Sequence, residues 1–281
     1  MPMIGLGCYQ LGTSRELTSR EIILTALYTG YRLFDLAFRY QADDDFRLAL
    51  HESGLDRDQI FIVHKIWNVD FEIKTAYQET LTQFQQILQN LQTKYIDLLL
   101  LHMPQNNSLV CWQVLETLYE QGSVRAIGVC NFNLVQMKNF CAQVKIKPMV
   151  LQTQVSPWVF QCQRDVIDYC HTNHIAVMGW GTMGRGSYSC LKTPLILELA
   201  RQHHTEPAHI VLQWLLQKNV IIIPSSRKPV RIKSNWNQIN QLRLSPTESR
   251  AIDDLPQREL YLYNVSSVRD KIDFINPSWD G

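Results

Sequence analysis

The sequence has no excess of charge of either sign, because its 27 lysines and arginines nearly balance its 26 aspartates and glutamates. A protein that binds nucleic acid through phosphates needs a basic surface, so we expect no nucleic-acid partner. Apolar runs are also short, and none approaches the roughly 20 residues that span a bilayer. The first residues lack the basic and apolar regions of a signal peptide. These absences predict a protein without a membrane segment.

Paired cysteines are missing as well. The chain has seven cysteines, an odd number, and no two of them form a C-x-x-C motif. Scattered cysteines of this kind are typical of reduced thiols, so we predict a cytoplasmic location. Two groups of cysteine and histidine, at 170–174 and 203–209, have spacings too loose for a zinc site, and we expect no metal. The sequence also has no G-x-S-x-G, P-loop or H-E-x-x-H motif.

What the chain does have is a repeated alternation of apolar runs and helical segments. Its 281 residues are close to the number that one (β/α)8 barrel of about 250 residues would use. The runs are almost continuously apolar, as in strands that a parallel sheet buries on both faces. The candidate strands, spaced as βα units require, are 3–7, 32–36, 60–66, 96–101, 124–130, 149–153, 175–180 and 220–223.

The segments between these strands have helical periodicity. Apolar residues recur every three or four positions over 81–91, for example. Gly30, Gly54 and Gly122 stand just before strands, where a glycine can end a helix in the left-handed conformation. Ser245, followed directly by a proline, is expected to cap the start of a late helix.

The alternation predicts one α/β domain over residues 1–281, folded as a (β/α)8 TIM barrel. A doubly wound sheet is the alternative, but it would normally place a glycine-rich phosphate turn after its first strand. The segment at 7–12, Gly-Cys-Tyr-Gln-Leu-Gly, does not have the G-x-G-x-x-G spacing of that turn. Residues 262–281 have no clear periodicity and are expected to form a C-terminal loop or tail across one face of the domain.

Four polar residues follow apolar runs, where strands of a barrel would deliver them to a common pocket. They are Asp35, Tyr40, Lys65 and His102. A lysine inside an apolar strand is costly unless it is paired, so Lys65 in particular calls for a partner. A carboxylate, a phenol, an ammonium and an imidazole held together can move a proton onto a carbonyl oxygen.

Further motifs follow the strands in order. They are G-Y-R-x-x-D-x-A-x-x-Y at 30–40, the strand lysine and histidine above, I-G-V-C-N-F at 127–132, Gln152, I-P-S-S at 223–226, Arg231 and Asn235. Together they resemble the aldo-keto reductase superfamily over residues 3–255. The resemblance implies a barrel that binds a nicotinamide coenzyme and reduces an aldehyde or ketone to an alcohol. It also implies an N-terminal hairpin that plugs the barrel, which we expect to be absent because the sequence starts near the first strand.

The resemblance assigns a role to each of the four polar residues. Tyr40 would be the acid that gives a proton to the carbonyl oxygen. Lys65 would lower the pKa of the Tyr40 phenol, and Asp35 would hold Lys65 in place. His102 would donate a hydrogen bond that orients the carbonyl.

The nicotinamide site implied by the resemblance departs from the family pattern. Cys130 stands in place of a serine beside Asn131, and a thiol is a weaker hydrogen-bond donor than a hydroxyl. Trp180 stands in place of the tyrosine that stacks on the ring, whereas Gln152 is kept. The other coenzyme contacts that we expect are Cys8, Tyr9, Asp35 and, in a loop over the pyrophosphate, Gly181, Met183 and Arg185.

The phosphate end of the implied coenzyme site also differs. Ser225 replaces a lysine that commonly contributes charge to the 2′-phosphate of NADP. Ser226, Arg227, Arg231 and Asn235 remain nearby, and arginine can bind a phosphate with two parallel hydrogen bonds. We therefore expect NADP(H) in preference to NAD(H).

The substrate contacts are expected to come from Tyr9, Trp67, His102 and Met103, which flank the proposed catalytic groups. An apolar, aromatic pocket favours an uncharged or hydrophobic small-molecule carbonyl. We expect a monomer. Two alternatives remain open: a redox sensor that binds NADP(H) with vestigial catalysis, and a barrel enzyme that uses no nicotinamide.

Overall fold

The computed structural model describes residues 1–11, 17–184, 189–239 and 241–257. Within these ranges a sheet of 8 parallel strands pairs in chain order. The strands are β1 (Leu6–Gly7), β2 (Leu33–Asp35), β3 (Phe61–Ile66), β4 (Leu98–Leu101), β5 (Ile127–Cys130), β6 (Val150–Gln154), β7 (Ala176–Trp180) and β8 (Val220–Ile222).

The two edges of this sheet meet and close it into a barrel. Ile4, just before β1, forms a parallel bridge with Ile222 of β8. The backbone N–H of Gly5 donates to the carbonyl oxygen of Ile222 over 2.8 Å, and the N–H of Ile222 donates to Met3 over 3.0 Å. The (β/α)8 barrel predicted from the sequence is therefore confirmed.

Helices alternate with the strands and cover the outside of the barrel. Among the described residues, one α-helix follows each of the first six strands, two follow β7, and two more follow β8. They are α1 (Ser19–Thr29), α2 (Asp43–Ser53), α3 (Ala76–Leu91), α4 (Ser108–Glu120), α5 (Leu134–Cys141), α6 (Phe160–Thr172), α7 (Pro194–Gln202), α8 (Pro207–Gln217), α9 (Pro229–Ile239) and α10 (Pro246–Asp253).

The helix ends follow the predicted caps. Gly30 and Gly54 end α1 and α2 with φ of 117° and 70°, a left-handed conformation that glycine adopts without steric cost. Gly122, just past α4, also has a positive φ of 75°. Ser245 caps α10, where its hydroxyl accepts a hydrogen bond from the backbone N–H of Glu248.

Several strands begin later than their apolar runs predict. Val124, placed in a strand by its sequence, forms only an isolated bridge with Ile96, and the β5 ladder begins at Ile127. Both Val124 and Ile96 are nonetheless buried. An apolar run in the sequence therefore indicates that its residues are buried. It does not show that they belong to a strand, because a strand also requires a continuous hydrogen-bonded ladder.

The core has two parts, and both position the strand ends. One large cluster of apolar side chains fills the space between strands and helices. A second cluster lies inside the barrel and consists of Leu33, Val63, Leu98, Leu100, Cys130, Val150, Met178, Ile221 and Ile223. The barrel is thus packed rather than hollow, so polar groups collect above this cluster at the carboxyl ends of the strands.

No helix in the described ranges is long and apolar enough to cross a membrane. All seven cysteines lie within those ranges, and each of them is a free thiol. The predicted C-terminal tail at 262–281 lies outside the described residues.

Candidate active site

A cavity of about 470 Å³ opens at the carboxyl ends of the strands. This volume falls within the range of about 300–1,000 Å³ that is usual for small-molecule sites. Its lining comes from seven of the strands or from the loops that follow them: Gly7, Tyr9, Gln10, Asp35, Arg39, Tyr40, His102, Met103, Asn131, Gln152, Trp180, 181–184 and 223–227. Most of the residues predicted for catalysis and coenzyme binding therefore meet in one place.

A buried ion pair lies at the base of the cavity. The ammonium of Lys65, in β3, donates to the carboxylate of Asp35, at the end of β2, over 2.7 Å. It also donates to the carbonyl oxygen of Leu36 over 2.9 Å. Burial is the largest single influence and lowers the pKa of Lys65. The charge of Asp35, together with smaller contributions from Tyr40, Cys130 and the hydrogen bond to Asp35, outweighs burial and raises the pKa above its ordinary value. Lys65 therefore stays charged inside the barrel.

Tyr40 packs over this ion pair from a short 3-10 turn, Phe38–Tyr40, that follows β2. The centroid of its ring lies 4.8 Å from the Lys65 ammonium and 5.1 Å from the ring of Tyr9. Burial raises the pKa of Tyr40, and the charge of Lys65 lowers it by less than burial raises it. Lys65 therefore shifts the pKa of Tyr40 in the predicted direction, although desolvation of the phenolate has the larger effect.

His102 directly follows β4 and faces Tyr40 across the cavity. Its ring centroid lies 6.0 Å from that of Tyr40 and 5.1 Å from that of Trp67, which meets it nearly at a right angle. Burial, followed by the charges of Lys65 and His64, holds the pKa of His102 well below its usual range. The imidazole is therefore neutral and can donate one hydrogen bond, from the ring nitrogen that carries its proton. Its Nδ1 atom has no hydrogen-bond partner among the described residues.

Two amide side chains, those of Gln152 and Asn131, also line the cavity. The Gln152 amide, in β6, donates to the same Asp35 oxygen that Lys65 contacts, over 2.6 Å. The Asn131 amide donates to the carbonyl oxygen of His102 over 3.1 Å, and its own oxygen accepts from the indole N–H of Trp180 over 2.9 Å. A tyrosine at position 180 has no such N–H at this place on its ring. The substitution of Trp180 for tyrosine therefore anchors Asn131 to β7.

The other end of the cavity is basic and lies after β8. Ser225, Ser226 and Arg227 line it, and Arg231 is exposed on α9. Asn235 is buried on the same helix. Hydroxyl groups and guanidinium groups near the start of a helix form a suitable place for a phosphate.

Some predicted residues do not line the cavity. Lys65, Cys8 and Cys130 lie buried behind it, and burial raises the pKa of both thiols. The Cys130 thiol is 4.0 Å from the side-chain oxygen of Gln152. Trp67, Arg231 and Asn235 do not line the cavity either, although α9, which carries the last two, begins shortly after the lining residue Arg227. Arg185 lies outside the described residues.

Sequence reasoning missed a buried pair that ties the Tyr40 turn to β3. The backbone N–H of Lys65 donates to Nδ1 of His64 over 2.9 Å, so Nε2 carries the ring proton. That Nε2 lies 3.1 Å from the carboxylate of Asp43, the first residue of α2. Both partners are buried. Because α2 begins three residues after Tyr40, the pair links the chain that carries Tyr40 to the strand that carries Lys65.

A cavity lined by titratable groups at the carboxyl rim of a parallel barrel is typical of the active site of a barrel enzyme. Comparison with known protein families assigns this barrel to one of them. The model of the Aldo/keto reductase family matches residues 3–256, and the chain belongs to that family.

Individual relatives agree with this assignment. The chain is 34% identical over 257 residues to a 9,11-endoperoxide prostaglandin H2 reductase of Trypanosoma cruzi, with 91% of this chain and 88% of the relative covered. It is also 34% identical over 260 residues to a glyoxal reductase of Bacillus subtilis, with 92% and 90% covered. The crystal structure of a Bombyx mori aldo-keto reductase in complex with NADP superposes with a TM-score of 0.84 at 26% identity, covering 97% of this chain and 94% of that one.

Proposed function

We propose that this protein reduces an aldehyde or ketone to an alcohol with NADPH as the coenzyme. The observation that carries the proposal is the Lys65–Asp35 pair of 2.7 Å beneath the ring of Tyr40, with His102 across the cavity. Burying an ammonium costs free energy. Its charge beneath a phenol suits an acid that must release a proton, because the charge stabilises the phenolate that remains. The glyoxal reductase among the relatives supports the same reaction.

The proposed reaction joins a hydride and a proton to the carbonyl. When bound, reduced nicotinamide supplies the hydride to the carbonyl carbon. Tyr40 releases its proton to the carbonyl oxygen, which becomes the alcohol hydroxyl. The charge of Lys65 stabilises the phenolate that forms, and Asp35 keeps the ammonium in position. Neutral His102 donates a hydrogen bond that holds the carbonyl oxygen near Tyr40.

The residues present fit a nicotinamide coenzyme. Gln152 and Asn131 offer amide groups on the wall where the ring would lie, and Trp180 offers an aromatic surface. Ser226 and Arg227 offer donors at the opposite end of the cavity, in agreement with the frequent phosphate site after the last barrel strands. The arginines at 227 and 231 favour the additional 2′-phosphate of NADPH over NADH, even without a lysine at 225.

A coenzyme titration combined with a carbonyl panel tests this proposal. We expect NADPH to quench the tryptophan fluorescence at lower concentration than NADH, and small aldehydes such as glyoxal and methylglyoxal to be reduced. Replacing Arg231 by Ala should weaken NADPH binding by about tenfold, since a charge-assisted contact to phosphate is lost. NADH binding should change less.

Lys233→Ala is the matched control, because Lys233 is an exposed cation on the same helix, α9. Equal affinity for the two coenzymes would contradict the NADPH preference. Tight NADPH binding without turnover of any carbonyl would instead favour the redox sensor, and no quenching by either coenzyme would favour a barrel enzyme without nicotinamide.

The rate of reduction should depend little on pH between about 6 and 9, once coenzyme and substrate are saturating. His102, with its lowered pKa, does not gain a proton as the pH falls through the usual histidine range. Tyr40, with its raised pKa, keeps its proton as the pH rises. Single-turnover measurements of NADPH oxidation would check this, and an inflection near pH 6.5 would contradict the neutral state of His102. The reverse oxidation needs the phenolate, so its rate should rise with pH, by up to about tenfold per unit.

A further inference from the structure

Arg39 is a charged group on the substrate side of the cavity that the proposed reaction does not use. It stands directly before Tyr40 in the 3-10 turn after β2, is exposed, and lines the cavity. Its guanidinium carbon lies 5.3 Å from the centroid of the Trp67 ring. The same ring contacts His102 at 5.1 Å between centroids. One indole therefore lies against both the guanidinium and the imidazole that would orient the carbonyl.

No described acidic group neutralises Arg39. The carboxylate of Asp35 also lines the cavity, but Lys65 and Gln152 already donate to it. The carboxylate of Asp70 accepts from the indole N–H of Trp67 over 3.0 Å, which fixes the indole. Among the described residues Arg39 makes neither a hydrogen bond nor an ion pair, and its contact with Trp67 is a cation–π contact. Its donors are therefore available to a ligand.

The position of Arg39 separates it from the basic end of the cavity. Arg39 follows β2 and lies against Trp67, which follows β3, next to His102, which follows β4. The groups suited to the coenzyme phosphates, Ser226 and Arg227, follow β8. The guanidinium of Arg39 thus faces the neighbourhood of the reacting carbonyl rather than the phosphate end.

We propose that the substrate is a carbonyl compound that also carries a carboxylate, and that Arg39 binds this carboxylate beside Trp67. The inference rests on the proposed reduction at Tyr40 and His102, whose geometry places the carbonyl next to the indole. An aromatic wall alone favours an uncharged substrate, but the guanidinium of Arg39 adds a positive charge to the same cavity. A guanidinium binds a carboxylate through two parallel N–H···O bonds, and stacking on a buried indole limits the positions of its side chain.

A matched pair of substrates tests the proposal. 4-Carboxybenzaldehyde and methyl 4-formylbenzoate present the same aldehyde, but only the first is an anion. We expect the wild type to prefer the anion in kcat/KM. Arg39→Gln should lower the ratio of kcat/KM for the anion to that for the ester by about tenfold, a moderate value because the guanidinium is exposed to water. Arg39→Lys should keep most of the ratio, and added salt should reduce it in the wild type.

Arg47→Gln is the matched control, since Arg47 lies on α2 in an ion pair with Asp44 at 3.3 Å and does not line the cavity. A second readout does not need turnover: calorimetric titration of 4-(hydroxymethyl)benzoate with and without NADP⁺. Its affinity should fall about tenfold in Arg39→Gln. An unchanged ratio and an unchanged affinity in Arg39→Gln would overturn the proposal while leaving reduction intact. Loss of benzoate binding in Arg39→Gln, with no reduction of either aldehyde by the wild type, would sustain the anion site and reject the proposed reaction.

Discussion

A Tyr40→Phe variant is expected to lose about 10²–10⁴-fold in the rate of carbonyl reduction, the usual contribution of a general acid. Phenylalanine keeps the ring that packs against Tyr9 at 5.1 Å and over the Lys65 ammonium at 4.8 Å. It removes the hydroxyl, and with it the proton that the carbonyl oxygen must receive. The fold and coenzyme affinity should therefore change little while the chemical step becomes slow.

Single-turnover oxidation of bound NADPH measures that step directly, and the titration of coenzyme fluorescence measures binding separately. Tyr9→Phe is the matched control, because Tyr9 is a second phenol that lines the same cavity. The Tyr9→Phe variant should lose less than about tenfold in reduction rate, as expected for a residue that shapes the site without transferring a proton. If Tyr40→Phe kept its reduction rate within that limit, Tyr40 would not be the acid. The same would follow if Tyr9→Phe lost more of the rate than Tyr40→Phe.

The barrel could be predicted from the sequence because its signals are local and repeated. Each strand appears as an apolar run, and glycines such as Gly30 and Gly54 end the helices before the next strand. The starting points of strands were less predictable, because burial and ladder formation leave the same apolar pattern. Val124 shows the difference, since it is fully packed but forms only an isolated bridge.

The site was predictable where a residue type is unusual for its position. Lys65 stands inside an apolar strand, where a charged side chain needs a partner. In the structure its ammonium lies 2.7 Å from the carboxylate of Asp35. The net pKa of Tyr40 could not be predicted in the same way, because it depends on how burial and the charge of Lys65 balance. That balance is set by three-dimensional packing rather than by spacing along the chain.

Other contacts had no signal in the sequence. Arg39 occupies a variable position of the motif at 30–40, and only its stacking on Trp67 reveals where its charge points. The His64–Asp43 pair joins side chains that face the helices, outside the barrel interior. Each pairing depends on side-chain direction after the fold has formed. Spacing could therefore identify the strands that build the site, but not every group that those strands bring together.

A Lys65→Met variant is expected to lose both activity and stability, and a double variant should separate the two losses. Methionine fills similar volume but leaves the Asp35 carboxylate buried, with the Gln152 amide as its remaining side-chain donor. Removing one partner of a buried ion pair typically costs about 3–5 kcal/mol of unfolding free energy. Lys74→Met is the control, because Lys74 pairs with Glu72 at 2.9 Å on the surface. This replacement should lower the unfolding free energy by less than about 1 kcal/mol.

In the double variant Lys65→Met with Asp35→Asn, the buried charge disappears, and most of the unfolding free energy measured by urea denaturation should return. The activity should not return, because no ammonium then stabilises the Tyr40 phenolate as the proton leaves. We expect single-turnover reduction by the double variant to remain at least about 10²-fold slower than wild type. Recovery of both stability and rate would mean that Lys65 only balances the charge of Asp35. If the Lys65 ammonium is catalytic, we expect stability to recover without the rate. The ammonium then acts by stabilising the transition state rather than the folded ground state.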